Sequence, residues 1–452
     1  MERVAIDLGR TDLARLFAEM FLPTLAGLLS GVVLNVADGV FVGRGVGSGG
    51  LAAVNIAAPI FLFAYAVSLL FGSGVSVVAA MHLAQGRTKA ACINITQALT
   101  VSLSLMLLLA AAIFAFPVQV CRMFGGSDAL MPMVVEYLRW VVPQMPFSVA
   151  AMIGMFAIRL DGAPRFAMLI EVVPALLNIV LDYLFIFPFG WGIGGAAAAT
   201  SASQLAGALL AGWYMLRHAR TVRLCRPGPT LNAMRLTARN TVRQARLGFP
   251  NFLGEMAIAV MIMAGNAMFI GRLGEDGVAA YSVVCYLFPM IFMFGYAISL
   301  SAQPIASFNH GQGNMERVRG TLRISVCLAV ALGLLLTAAG FFWGDFAIGC
   351  FLSGGQPARA LAVQGFPYFS AGFLFFTLNM VLIGFYQSIG RARPATIFML
   401  LRGFVLLVPS FVLLPSWLGD AGLWLAVPLS EALTFAVIAG YMAWEKRDAP
   451  PA

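Results

Sequence analysis

The sequence predicts an all-α polytopic membrane protein, with twelve transmembrane helices in two pseudo-symmetric six-helix lobes around a central cavity. Three observations carry that expectation. The 452 residues are 61% apolar and only 10% charged, with a mean hydropathy of +0.90, well outside the soluble range. Apolar stretches of about 20 residues or more, long enough to cross a bilayer, recur twelve times. The second half of the chain also repeats the first at an offset of about 227 to 231 residues.

In chain order, the region from Met1 to Arg15 is rich in Arg and acids before any apolar run and shows no cleavable signal peptide. It reads as a short cytoplasmic helix leading into the first span. Spans follow near 17–43, 51–81, 92–116, 134–158, 167–189 and 195–217, then 249–271, 278–305, 324–346, 363–388, 396–416 and 422–444. Between the sixes lies the only long loop, His218 to Leu247, which is Arg-rich and contains Pro227-Gly-Pro229. The expected organisation is therefore a lobe over 1–217, a cytoplasmic linker over 218–247 and a second lobe over 248–452. With both termini cytoplasmic, 22 of the 28 Lys and Arg fall on the inner side, from Arg3 to Arg447. This asymmetry fits the positive-inside rule, so the net charge of +9 implies no nucleic-acid partner. Six cysteines without a CxxC pattern argue against a metal or redox centre.

The repeat is specific. Asn35-Val-Ala-Asp-Gly-Val-Phe-Val-Gly-Arg44 returns as Gly265-Asn-Ala-Met-Phe-Ile-Gly-Arg272, with Asn266 where the first copy has Asp38. Phe21-Leu-Pro23 answers Gly248-Phe-Pro250, Gln85-Gly86 answers Gln312-Gly313, and Cys121 with Gly125-Gly126 answers Cys350 with Gly354-Gly355. Six spans per copy is an even number, so both copies run in the same direction. Parallel repeats of this kind suit a carrier whose lobes rock about a central site.

Five acids fall inside spans: Asp38, Glu171, Asp182, Glu255 and Glu431. An ionised group in hydrocarbon is costly and marks function unless it is satisfied locally. Glu171, Asn178 and Asp182 are seven and four residues apart, which sets them on one face of the fifth span. Asp38, Asp182 and Thr200 should share a depth in the outer half of the first lobe. Such oxygen ligands suit a small alkali cation, and two crowded carboxyls also suit a proton; a polar network that only holds helices together is the third reading. The offset places Asn266, Val408, Val412 and Val427 opposite Asp38, Asn178, Asp182 and Thr200, so the set is missing from the second lobe. Pro23 breaks the first span fifteen residues before Asp38, as a hinge or as a static kink. Glu255 reads as interfacial or cavity-facing, Glu431 as a cavity candidate, and His82, His218 and His310 as structural groups at inner helix ends. No Ser/His pair or HExxH motif supports an intramembrane enzyme.

Pro23 with Asp38-Gly-Val-Phe-Val-Gly43, Leu51-Ala-Ala53, Gln85-Gly86, Asn178-Ile-Val-Leu-Asp182 and Gly194-Gly-Ala-Ala-Ala-Ala-Thr200 together resemble the multidrug and toxic compound extrusion (MATE) transporters over nearly the whole chain. The resemblance implies a bacterial inner-membrane antiporter, active as a monomer without a cofactor, that exports lipophilic and often cationic drugs in exchange for H⁺ or Na⁺. It carries cation-coupling roles to Asp38, Asn178, Asp182 and Thr200, with Tyr137 as their neighbour; a Na⁺ would sit on those four. Acids that some family members place on the tenth span are absent here. A flippase of a lipid-linked precursor is the alternative within the same superfamily.

Overall fold

The computed structural model describes residues 7–124, 128, 130–225, 231–352 and 355–448. Among these residues there are helices and no strand. They form two compact units, 1–252 with 307–315, and 253–306 with 316–452.

In the first unit, α1 (Leu13–Gly45), α2 (Ser48–Ala84) and α3 (Thr88–Ala115) are the first three spans. A short α4 (Pro117–Met123) precedes α5 (Met131–Val141) and α6 (Gln144–Leu160), which form the fourth span as a pair bent by 41°. α7 (Pro164–Ile186) and α8 (Gly192–Arg217) complete the six. Local chemistry sets several starts. The Asp12 side chain accepts from the Arg15 amide at 3.0 Å and so caps α1, while Pro164 occupies the first turn of α7, where no amide hydrogen is needed.

The long α9 (Leu231–Gly311) carries the seventh and eighth spans on either side of Gly274, whose φ of 66° breaks the helical path. In the second unit α10 (Met315–Gly349) is the ninth span, and α11 (Pro357–Ser370) with α12 (Phe373–Ser388) is the tenth, bent by 45°. The eleventh is α13 (Ala392–Leu400), a π-helical turn (Leu401–Val405) and α14 (Leu407–Leu418); α15 (Asp420–Asp448) is the twelfth.

The repeat is visible in the backbone of the two units. Positive-φ glycines recur at matching turns: Gly47 with Gly274, Gly86 with Gly313, Gly162 with Gly390, and Gly192 with Gly419. The bent fourth span has its counterpart in the bent tenth.

Four expectations need correction. Residues 7–11 form a turn rather than a helix before α1. Pro23 does not break α1, which runs helically through it. The expected loop over 218–247 is helical from Leu231 onward and continues into the seventh span. That stretch has no Gly or Pro from Leu231 to Leu247, and a polar ladder seats it on the first unit. Gln244 Nε2 donates to Asn94 Oδ1 at 3.0 Å, Asn240 Nδ2 donates to Gln97 Oε1 at 2.8 Å, and Gln97 Nε2 donates to Thr237 Oγ1 at 2.9 Å. Gly248 closes the crossing with α2: a Cβ there would lie 1.7 Å from the Leu70 carbonyl oxygen. Finally, the π turn adds one residue to the eleventh span, so the buried partners of Asn178 and Asp182 are Leu407 and Phe411, not Val408 and Val412, which are 38% and 54% exposed. Arg3, Gly125-Gly126, Pro227-Gly-Pro229 and Gly354 lie outside the described residues.

Candidate functional site

The first unit brings α1 and α7 together as parallel neighbours along their length. Three contacts fix the register. Gly27 meets Glu171, Phe41 packs on Tyr183 and Phe187 with ring centres 6.4 and 6.1 Å apart, and Gly45 meets Ile186. Glycine is needed at both ends of the seam, since a Cβ on Gly27 would lie 2.0 Å from Glu171 Oε2 and one on Gly45 would lie 2.1 Å from Ile186 Cγ2. This register sets Asp38 opposite Asp182, each eleven residues beyond the Gly27–Glu171 contact. Eleven residues are about three helical turns, so each chain returns to the same face.

The Asp38 and Asp182 carboxyls lie within hydrogen-bonding reach of each other. Asp182 is completely buried and Asp38 partly so. Asn178, one turn before Asp182 and also buried, bridges to α8. In one orientation its Nδ2 donates to Thr200 Oγ1 at 3.4 Å. With the amide turned over, Nδ2 donates to Asp182 Oδ2 at 3.0 Å and Oδ1 accepts from the Thr200 amide at 3.1 Å. The second orientation satisfies both ends and is the one consistent with its neighbours. Thr200 Oγ1 donates to the Ala196 carbonyl at 3.0 Å. Asp182 Oδ1 finds no donor among the described residues. Tyr137 on α5 is buried, packs edge-on against Phe61 at 6.0 Å, and lies within electrostatic reach of both aspartates. The five residues expected to gather in the first lobe are therefore gathered.

Pro23 lies on the same helix as Asp38, beside Thr24, whose hydroxyl donates to the Met20 carbonyl at 2.8 Å. Glu171 sits on the shared stripe, three turns from Asp182, against Gly27. Glu255 and Glu431 belong to the second unit. Glu255 is buried in α9. Glu431 on α15 is fully engaged: Arg402 Nε donates to Oε1 at 2.7 Å, and Asn379 Nδ2 donates to Oε2 at 2.7 Å. The Arg402 guanidinium, held by the π turn, also covers the Phe376 ring at 4.4 Å. The pairing of Arg402 with Glu431 is not among the expectations drawn from the sequence. The available signal was that an arginine in mid-span demands a buried anion.

Residues 23–184 and 252–412 match the MatE family model in two stretches. The chain belongs to the MatE family. This family consists of transporters, and the chain is a multi-pass membrane transporter rather than an enzyme. Among its relatives, an FAD transporter of Shewanella oneidensis is 26% identical over 332 residues, 72% of this chain and 71% of that protein. The multidrug export protein MepA of Staphylococcus aureus is 22% identical over 419 residues, 91% and 89% of the two chains. An outward-facing multidrug resistance MATE transporter of the MOP superfamily superposes with a TM-score of 0.89 at 21% identity, covering 98% of both chains. A MATE crystal structure in complex with MaL6 gives 0.88 at 21% identity, over 97% and 98%. The twelve-helix MatE fold is thus that of this chain.

Proposed function

We propose that the protein is a secondary-active antiporter of the bacterial plasma membrane that exports lipophilic, often cationic compounds in exchange for protons by alternating access. The observation that carries this reading is the Asp38–Asp182 pair, two carboxyls within hydrogen-bonding reach inside hydrocarbon, with Asp182 Oδ1 left without a donor among the described residues. Two such groups out of water repel each other unless a positive charge is shared between them. Asn178 Oδ1 accepts from the Thr200 amide and Thr200 Oγ1 donates to the Ala196 carbonyl, so both groups are oriented by α8 beside the pair. The two carboxyls are the only charged members of this group, and a proton shared directly between them neutralises the pair without any further ligand. Loading the pair from outside neutralises it and draws α1 and α7 together; α1 then bends at Pro23, where the proline removes one helical hydrogen bond, and the cargo is expelled. One charge crossing 100 mV supplies about 2.3 kcal/mol, enough for roughly a fiftyfold gradient.

The relatives support two cargo classes. MepA is a multidrug export protein and the Shewanella relative is an FAD transporter, and the wide reach of the MepA match along the chain favours the first. The test is transport by purified protein in liposomes under separate proton and sodium gradients, with a fluorescent organic cation or FAD as cargo. Uptake of the organic cation driven by the proton gradient alone is expected. Uptake driven only by sodium, or of FAD alone, would overturn the ion or the cargo assignment respectively.

A further inference from the structure

Glu171 is an acid in the middle of the first lobe that the Asp38–Asp182 site does not use. It lies seven residues into α7 and presses on Gly27 of α1, and its Oε2 has no hydrogen-bond partner among the described residues. The repeat shows that this crossing does not need a carboxylate. Glu171 stands nine residues after Gly162 and Met399 stands nine after Gly390, the two positive-φ glycines that open α7 and α13. In the second unit it is Met399 that packs on Gly254, with Cε 3.4 Å from the position of an added Cβ. An apolar side chain therefore fills the same crossing where only packing is required.

We infer that Glu171 is a second proton-carrying group of the first lobe, loaded when α1 closes on α7 at Gly27 and emptied when that seam opens. This inference rests on the proton-coupled reading above. An ionised carboxylate at this contact would face a helix backbone with no donor for Oε2, a state that costs far more than a neutral carboxyl. When Gly27 of α1 moves off Glu171, water reaches the oxygen and the proton leaves to the side on which α7 begins, about 10 Å away along the helix at 1.5 Å per residue. The surrounding elements are consistent with that route. α6 brings Arg159, almost fully buried, within electrostatic reach of Glu171. α1 brings Asp38 three turns outward and Glu19 nearer its start, the latter paired with Arg15 at 2.9 Å. α7 itself brings Arg165 and Asp182, and α8 has no ionisable side chain from Gly192 to Trp213. A sodium ion is not assigned here, because Glu171 is the lone acid of this crossing.

The test counts protons. Purified full-length protein in weakly buffered detergent is mixed with tetraphenylphosphonium, and proton release per bound cation is compared among wild type, Glu171→Gln and Glu171→Met, the last copying the second lobe. Both variants are expected to bind the probe and to release about half as many protons as wild type. Unchanged release in both would overturn the assignment of Glu171, as would loss of probe binding in both, which would make it a cargo or structural group. Absence of any release from wild type would instead overturn the proton-coupled reading itself, so the two failures are distinguishable.

Discussion

Asn178 decides how the carboxyl pair is held. Its amide donates to Asp182 Oδ2 at 3.0 Å and its carbonyl receives the Thr200 amide at 3.1 Å, so one side chain ties α7 to α8 and fixes which Asp182 oxygen stays open. Replacing it by leucine, the residue its buried partner Leu407 already supplies, removes a donor to a buried carboxylate. The expected cost is about 1–3 kcal/mol, seen as a lower unfolding temperature in detergent, together with a loss of proton-driven uptake. This residue and Asp182 were legible in the sequence because spacings of seven and four place them with Glu171 on one helical face. The bond between Arg402 and Glu431 was not, since it joins residues 29 apart on neighbouring spans and depends on a π turn that no periodicity announces.

Helix contacts depend on where side chains are missing. At Gly27 an added methyl would meet Glu171 Oε2 at 2.0 Å, so Gly27→Ala should separate α1 from α7 and cost about 1–3 kcal/mol. Combining it with Glu171→Ala should recover most of that stability, which thermal unfolding of the single and double variants would measure. At Gly248 the obstacle is the Leu70 backbone carbonyl at 1.7 Å, which cannot rotate away. Gly248→Ala should therefore be the more damaging of the two glycine changes, read as the yield of folded protein in the membrane. The twelve spans themselves could be read from hydropathy, but their interruptions could not. Pro23 stays within a continuous α1, whereas the bends of the fourth and tenth spans sit at short turns between α5 and α6 and between α11 and α12. The Arg-rich stretch after Leu231 looked like a loop because its charge suggested solvent, yet its carboxamide ladder to Asn94 and Gln97 gives it a surface to fold on.

At the scale of the molecule, two copies of one six-helix plan have taken different charge economies. In the first lobe Asp182 Oδ1 has no donor among the described residues. In the second, both Glu431 oxygens are bound, one by a guanidinium that can never leave, while Leu407 and Phe411 stand where the first lobe has Asn178 and Asp182. Breaking that pair alone with Arg402→Met should cost about 3–5 kcal/mol; the double variant Arg402→Met with Glu431→Gln should recover much of the loss and keep proton-driven transport. The sequence showed this asymmetry in the absence from the second lobe of acids at the positions of Asp38 and Asp182, and the structure adds the built-in cation. The central claim, that the first lobe's carboxyl pair couples transport to the proton gradient, is tested most directly with Asp182→Asn in liposomes. Proton-driven uptake of an organic cation should be lost while exchange of that cation down its own gradient continues; uptake driven as in the wild type would contradict the claim.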